Sequence, residues 1–402
     1  MKEGAKAVFS KRIDRLTSSL VREILALTQK RDVISFAGGL PAEYTMPPFD
    51  FADIPPHLRQ YGTTEGEPAL RQAIAEQVTA LGRPCTADQV LITSGSQQGL
   101  DLVSKLFIDE GTPVLVESPS YLAALQSFKL FGARFDALPL SPSGVDPAQM
   151  RTEIEHNRPA FAYLIPTFQN PSGYCYDRAT RQAVAQVLEE HGVPLIEDEP
   201  YRELVFDDCD RQPICSFMTK GPWVYLGSFS KTAIPGFRIG FMVCSPELYP
   251  YFVRLKQSTD LHTNRIGQWW IGQFVSGPDY AAHLDKVRGA YKEKRDLMAA
   301  ALGRHMTGLA QWESPKGGLF FWLQLAHKID TRLLLVKALD KNLAFMPGEP
   351  FFPGNVEQSG MIRLNFSHAD AAGIEKGVTI LAQTIREFIA DMPEDGGGPV
   401  EI

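Results

Sequence analysis

The feature that most constrains this chain is a regular alternation of apolar runs with amphipathic stretches of helical period. QVLITSGSQQGLDLVSKLF reads as strand, Gly/Ser turn and helix. TPVLVESPSY is strand then turn, with YLAALQSFKLFG a helix behind it, and FAYLIPTFQNPSG leads likewise into the helix DRATRQAVAQVLEEHG. VPLIEDEPYREL is strand then turn, and WVYL and IGFMV are two further buried strands. Such alternation predicts an α/β fold: a mainly parallel sheet covered by helices on both faces. In these sheets ligands bind beyond the carboxyl ends of the strands, where every polar cluster of this chain falls.

A length of 402 residues exceeds one small core. Past position 280 the character changes: LDKVRGAYKEKRDLMAAALGRHM is a long charged helix, followed by strand-like GGLFFWLQL, NLAFMPG and MIRLNFS. We therefore expect a large domain over 46–285 and a smaller α+β domain over 286–402. The segment 1–45, with the amphipathic helix SSLVREILALTQ and the strand-to-loop run VISFAGGLP, is expected to complete the small domain and the active site. EPALRQAIAEQVTALG reads as a helix with Pro68 at its start.

A net charge of −7 disfavours a nucleic-acid partner. No apolar run approaches the roughly 18 residues of a membrane helix, and the N-terminal residues lack the apolar core of a signal peptide. The five cysteines contain no CxxC pair, which suits a reducing, cytoplasmic setting and argues against zinc.

The segment GSFSKTAIPGFRIG places Ser228, Ser230, Lys231 and Arg238 in one turn region between two strands. A lysine there is either a solvated surface residue or a nucleophile for a carbonyl, with the serines and arginine gripping a phosphate. Ser96 and Gln97, at the start of the helix after ITSG, either cap that helix or add phosphate donors. Asp198 follows the strand PLIE, where a carboxylate either caps a helix or keeps a pyridine nitrogen protonated. Tyr201 and Asn170 can reach a ring oxygen, and Tyr121 is either core or stacked on a ring face. Arg363, between Ile362 and Leu364, needs a counter-charge if buried: a structural partner or a substrate carboxylate. Arg22 is either a solvated helix arginine or a partner for a distal acidic group.

Together these segments resemble the fold-type-I aminotransferases that use pyridoxal phosphate, closest to the branch of 2-aminoadipate, kynurenine and aromatic enzymes. The resemblance rests on ISFAGGLP, QYGTTEGEPALR, ITSGSQQGLDL, ESPSY, IPTFQNPSG, EDEPYREL, GSFSKTAIPGFRIG, KGGLFFW and IRLNFS, in that order. It implies a mainly parallel sheet of the seven-stranded type and the cofactor pyridoxal 5′-phosphate. It implies Schiff-base chemistry at Lys231, Asp198 at the pyridinium nitrogen, Tyr201 and Asn170 at the ring oxygen, and Tyr121 on the ring. Ser96, Gln97, Ser228, Ser230 and Arg238 would hold the phosphate, and Arg363 the substrate α-carboxylate. Asn170 and Gly39 would lie beside the bound substrate, on which a mobile helix bearing Arg22 would act. Tyr61 would reach a neighbouring subunit's phosphate, making the protein a homodimer with shared sites. The implied substrates are an L-amino acid and a 2-oxo acid. Residues TAIPGF after the lysine and Glu199 in EDEPY depart from the common pattern and bear on substrate choice. The same clamp also serves C–S lyases and decarboxylases, and aminotransferase-like domains act as sensors in some transcription regulators.

Overall fold

The computed structural model describes residues 9–16, 33–50, 54–354, 356–357 and 359–392. The segment carrying Arg22, and with it the helix expected over SSLVREILALTQ, lies outside the described residues.

The main sheet contains β2 (Val90–Thr93), β3 (Pro113–Ser118), β4 (Arg134–Ser141), β5 (Gly144–Val145), β6 (Ala162–Leu164), β7 (Leu195–Asp198), β8 (Trp223–Ser228) and β9 (Gly240–Cys244). Their spatial order is β2-β9-β8-β7-β6-β3-β4-β5, eight strands rather than the seven expected. The additional strand is β5, a two-residue return that pairs antiparallel with β4 at the edge. Strands β8, β7, β6, β3 and β4 run parallel. Strand β9 runs against both β2 and β8. Sequence reading missed β4, because its residues alternate between buried and exposed and include Arg134 and Asp136. Strands β2, β6, β7 and β9 are buried throughout, as a sheet covered on two sides requires.

The period of two along each strand divides the core. Ile92, Leu115 and Leu195 face one helical layer that includes α1 (Pro68–Ala80), α4 (Pro147–Asn157), α5 (Arg178–His191) and α7 (Arg265–Ser276). Leu91, Val116 and Ile196 face the other, with α2 (Ser96–Phe107), α3 (Leu122–Phe131) and α6 (Tyr249–Thr259). Pro68 occupies the first turn of α1, and Asp177 caps α5 through the Thr180 amide.

The long charged segment is the helix α8 (Tyr280–His305), which leads to a second sheet. That sheet, ordered β10-β11-β14-β13, is antiparallel and comprises Ala310–Trp312, Phe320–Leu325, Met361–Asn365 and Met346–Pro347. The helices Thr331–Leu339 and Ala371–Ala390 flank it. Near the N-terminus, β1 (Ile34–Ser35) pairs in parallel with β12 (Leu343–Ala344), and Phe36 packs into the same core as Ile374 and Val378. The FAGGLP loop is thereby tied to the C-terminal part of the chain, while Gly39 meets Lys231 at the main sheet's carboxyl edge.

Candidate active site

Five strands deliver their carboxyl ends to one place. The turn after β2 carries Ser96 and Gln97, the turn after β3 carries Tyr121, and the turn after β6 carries Asn170. Asp198 ends β7, with Tyr201 just beyond it, and Ser228 ends β8 ahead of Ser230 and Lys231. With Arg238, Ile165 and Pro200, these residues line a cavity of about 180 Å³. A larger cavity of about 360 Å³ lies beyond Pro200 and Ser228, and neither Lys231 nor Arg238 lines it.

One end of the smaller cavity is built for an anion. Gly95, at φ +76°, precedes the first turn of α2, which leaves the amides of Ser96 and Gln97 at a helix N-terminus. Gly240 of β9 lies so close that a Cβ there would stand 2.7 Å from the Ser96 nitrogen. Arg238 donates through Nη1 to Ser230 Oγ at 3.3 Å, and the Ser230 amide donates to Ser228 Oγ at 3.1 Å.

Asp198, which also lines the cavity, is buried and accepts from the Tyr163 hydroxyl at 2.8 Å through Oδ2. Its Oδ1 has no hydrogen-bond partner among the described residues. Burial pushes this carboxyl up to about 7, against the pull of Tyr163. Lys231 Nζ donates to the Gly39 carbonyl at 2.7 Å. Burial, then the positive charges of Arg238 and Arg363, hold its ammonium down at about 8. The Tyr121 hydroxyl contacts Gln97 Oε1 at 3.5 Å, and burial raises it to about 12. Burial likewise raises Tyr201, whose ring meets Phe320 edge-on at 5.5 Å.

Arg363, bonded to the cavity-lining Asn170, is 6% exposed. Its Nη1 donates to Asn170 Oδ1 at 2.7 Å and its Nη2 to the Ala37 carbonyl at 2.6 Å, while its guanidinium lies 4.1 Å over the Phe320 ring. It forms no ion pair among the described residues, and Nε has no partner. Burial lowers it to about 10, so it stays cationic at neutral pH.

Of the residues singled out from sequence, ten line the cavity: Ser96, Gln97, Tyr121, Asn170, Asp198, Tyr201, Ser228, Ser230, Lys231 and Arg238. Gly39 and Arg363 touch that set through Lys231 and Asn170. Tyr61 lies outside the cavity, 76% exposed, with its ring 5.8 Å from His262. Sequence reasoning missed Tyr163 and Glu117. Glu117 is buried in β3 and accepts from the Ile165 amide, Gln169 Nε2 and the Tyr176 hydroxyl, with burial pushing it up to about 7. A tyrosine or glutamate inside an otherwise apolar strand is the signal that marked them, since buried polar groups need partners.

The donor set fits a phosphorylated pyridine aldehyde. The helix N-terminus and Arg238 suit the phosphate, the orphaned Asp198 oxygen suits a protonated ring nitrogen, and the desolvated lysine suits an aldehyde carbon. Among the described residues no group of His, Cys, Asp and Glu is placed to hold a metal, and no helix is long and apolar enough to cross a membrane.

Fold and site together define an α/β enzyme that uses pyridoxal phosphate. Residues 48–381 match the family model described as aminotransferase class I and II, and the chain belongs to that family. It is 38% identical over 393 residues to the 2-aminoadipate transaminase of Thermus thermophilus, covering 95% of this chain and 97% of that one. It is 37% identical to the aromatic-amino-acid aminotransferase 1 of Thermococcus litoralis, covering 94% of each. The crystal structure of the Thermus thermophilus α-aminoadipate aminotransferase complexed with N-(5′-phosphopyridoxyl)-L-leucine superposes with a TM-score of 0.86 at 35% identity, covering 96% of this chain and 98% of that one. The protein is a pyridoxal-phosphate-dependent aminotransferase of the aminoadipate, multiple-substrate branch.

Proposed function

We propose that the enzyme moves an amino group from an L-amino acid with an aromatic, 2-aminoadipate-like or leucine-like side chain to a 2-oxo acid such as 2-oxoglutarate, in a ping-pong cycle. Arg363 carries this reading: a buried cation without a carboxylate partner among the described residues, beside the cavity that holds Lys231. Such an arginine is costly unless a ligand supplies the missing charge. The names of the two relatives and the leucine adduct in the Thermus thermophilus crystal structure support the range of side chains.

In this reading Ser96, Gln97, Ser228, Ser230 and Arg238 hold the cofactor phosphate. Asp198 would pair with the ring nitrogen, Tyr201 and Asn170 would bond the ring oxygen, and Tyr121 would cover one face. Pyridoxal phosphate, when bound, supplies an electron sink for charge developing at the substrate α-carbon. Lys231 is the group that takes and returns the α-proton. Its Nζ, held near 8, gives up and regains a proton at neutral pH far more readily than an exposed lysine. Tyr163 fixes one oxygen of Asp198 and leaves the other free to accept from a protonated ring nitrogen, which it would do with the cofactor bound. The Arg363 fork, braced by Asn170 and the Ala37 carbonyl, fixes the substrate carboxylate and with it the face from which Lys231 acts. Tyr61, exposed on the single chain, would complete the neighbouring subunit's phosphate site in a homodimer. We further assign Arg22 to distal acidic groups and the large and small domains to 46–285 and 286–402, with 1–45 shared between the small domain and the site.

The test is to incubate the purified enzyme with single amino acids and 2-oxoglutarate, measuring glutamate and the new 2-oxo acid. Equimolar formation of both from aromatic, aminoadipate or leucine donors is expected. Pyruvate and ammonia, or carbon dioxide, in place of glutamate would turn the reading to a lyase or a decarboxylase.

A further inference from the structure

We infer that Gln98 and Asp260 are positioning residues for the cofactor: together they fasten the turn that binds its phosphate, and so set how tightly the enzyme holds pyridoxal phosphate. Neither lines the cavity that contains Lys231, so they act through Ser96 and Gln97, which do. This rests on the phosphate role proposed for those two residues. No sequence motif joins the pair, which stands 162 positions apart; the fold brings it together.

The need for such a pair follows from how α2 begins. A helix ordinarily starts on Ser, Thr, Asp or Asn, whose side chain takes up an amide of the first turn. Asp177 does so for α5, accepting from the Thr180 amide at 2.7 Å. Helix α2 starts instead on Gly95, which has no side chain to offer. The Ser96 and Gln97 amides therefore have no acceptor among the described residues, as an anion site requires. The same choice leaves the turn, with Gly95 at φ +76°, without its ordinary fastening.

Gln98 supplies it from inside the helix. Its Oε1 accepts from the Ser94 amide at 2.7 Å, reaching back past Gly95 and leaving both free amides unused. Its Nε2 donates to Asp260 Oδ2 at 2.7 Å. An N–H on one side and a carboxylate on the other fix the side-chain amide in this one orientation. Asp260 Oδ1 accepts in turn from Lys256 Nζ at 2.7 Å, and the Lys256 side chain is fully buried in the last turn of α6. Beyond Asp260, Thr263 donates through Oγ1 to the Ile92 carbonyl at 3.2 Å. One segment thus grips the turn on both sides, at the end of β2 and in the first turn of α2. The hold of an N–H on an oxygen weakens steeply with angle. Cutting Gln98 loose lets the two amides swing, and the loss falls on the phosphate rather than on the ring.

The experiment strips the cofactor from the purified enzyme and titrates the apoenzyme with pyridoxal phosphate and with pyridoxal, which lacks the phosphate, following visible absorbance. Gln98→Met keeps the length of the side chain and loses both bonds. It should weaken pyridoxal phosphate about tenfold and pyridoxal far less, and kcat at saturating cofactor should fall less than the affinity. Gln98→Glu keeps an acceptor for the Ser94 amide but sets a second carboxylate against Asp260. Its affinity, relative to the unmodified protein, should recover as pH falls and the new carboxylate gains a proton to donate. A role in packing alone gives neither the difference between the two ligands nor the recovery with pH. Asp260→Ala alone strands the buried Lys256 cation, so it is paired with Lys256→Met; the double variant should match Gln98→Met, and full affinity in it overturns the part given to Asp260. Equal losses for both ligands in Gln98→Met, or no loss for either, overturn the part given to Gln98. Gly240→Ala separates the two kinds of failure. If it weakens pyridoxal phosphate while Gln98→Met does not, the phosphate role of the turn stands and the positioning role falls; if neither does, the phosphate role falls as well.

Discussion

Replacing Arg363 with alanine tests the substrate site most directly. In the protein its guanidinium is held by the Ala37 carbonyl at 2.6 Å and Asn170 at 2.7 Å, with Nε unpaired and no carboxylate beside it among the described residues. A substrate carboxylate placed there forms a desolvated, charge-assisted pair. Truncating one member of such a pair costs about 2–5 kcal/mol. That corresponds to about a 30- to 5,000-fold fall in kcat/KM. The pair exists before and during the chemical step, so most of the loss should fall on KM rather than kcat. Arg363→Lys keeps the charge without the fork and should fall between the two. Stability should change less than binding: the substitution forfeits the 4.1 Å contact with Phe320 but also removes a buried cation that lacks a counter-charge. The assay is steady-state kcat/KM for several amino-acid donors, with a primary amine lacking the carboxylate as comparator, and cofactor content and Tm measured on each variant. An unchanged kcat/KM, an equal loss for the amine, or a loss matched by missing cofactor would refute the assignment.

Three further outcomes are expected. Asp198 and Glu117 both have folded-state values raised to about 7, so the native cofactor-free protein binds their protons more tightly than the unfolded chain does. Their contribution is complete below the unfolded carboxylate range and is lost as pH rises through about 7, so the apoprotein Tm should fall over that interval. Asp198→Asn should flatten part of that slope, and thermal scans with an unaltered slope would remove Asp198 as its source. Gly240→Ala places a Cβ 2.6 Å from the Gly95 carbonyl carbon and 2.7 Å from the Ser96 nitrogen. It should destabilise by about 1–3 kcal/mol and weaken cofactor binding, read by reconstitution of the apoenzyme; full affinity would show that this turn does not hold the phosphate. Arg22→Ala should lower kcat/KM for glutamate and 2-aminoadipate more than for leucine or phenylalanine, and an equal loss for all donors would count against a distal role.

What sequence could yield here was set by how local each signal is. Lys231, Asp198 and Ser96 were legible because each stands where an apolar strand gives way to a polar turn, and a parallel sheet gathers all such turns on one edge. Arg363 was legible because a charge between Ile362 and Leu364 has to be explained. The strand Arg134–Ser141 was not, since a strand next to the sheet's edge with alternating exposure lacks the apolar run that marked its neighbours. The eighth strand is a two-residue return that no periodicity announces.

The second layer of the site was illegible for a different reason: it is built from register. Tyr163 meets Asp198 only because β6 lies beside β7 with Leu164 opposite Glu197. A slip of one residue would turn that hydroxyl to the other face of the sheet. Glu117 likewise gathers Ile165, Gln169 and Tyr176 because β3 is the next strand over. These two residues support the strand ends that carry Tyr121, Asn170 and Asp198, so they govern how well the visible residues are aimed. Tyr163→Phe should therefore leave the fold intact and change the site selectively. With the 2.8 Å donor gone, Asp198 loses the interaction that lowers its pKa and holds its proton to higher pH. The apoenzyme's affinity for pyridoxal phosphate, measured against pH, should then fall most at the acid end, where Asp198 is protonated. An affinity profile matching that of the unmodified protein would show that Tyr163 serves packing alone.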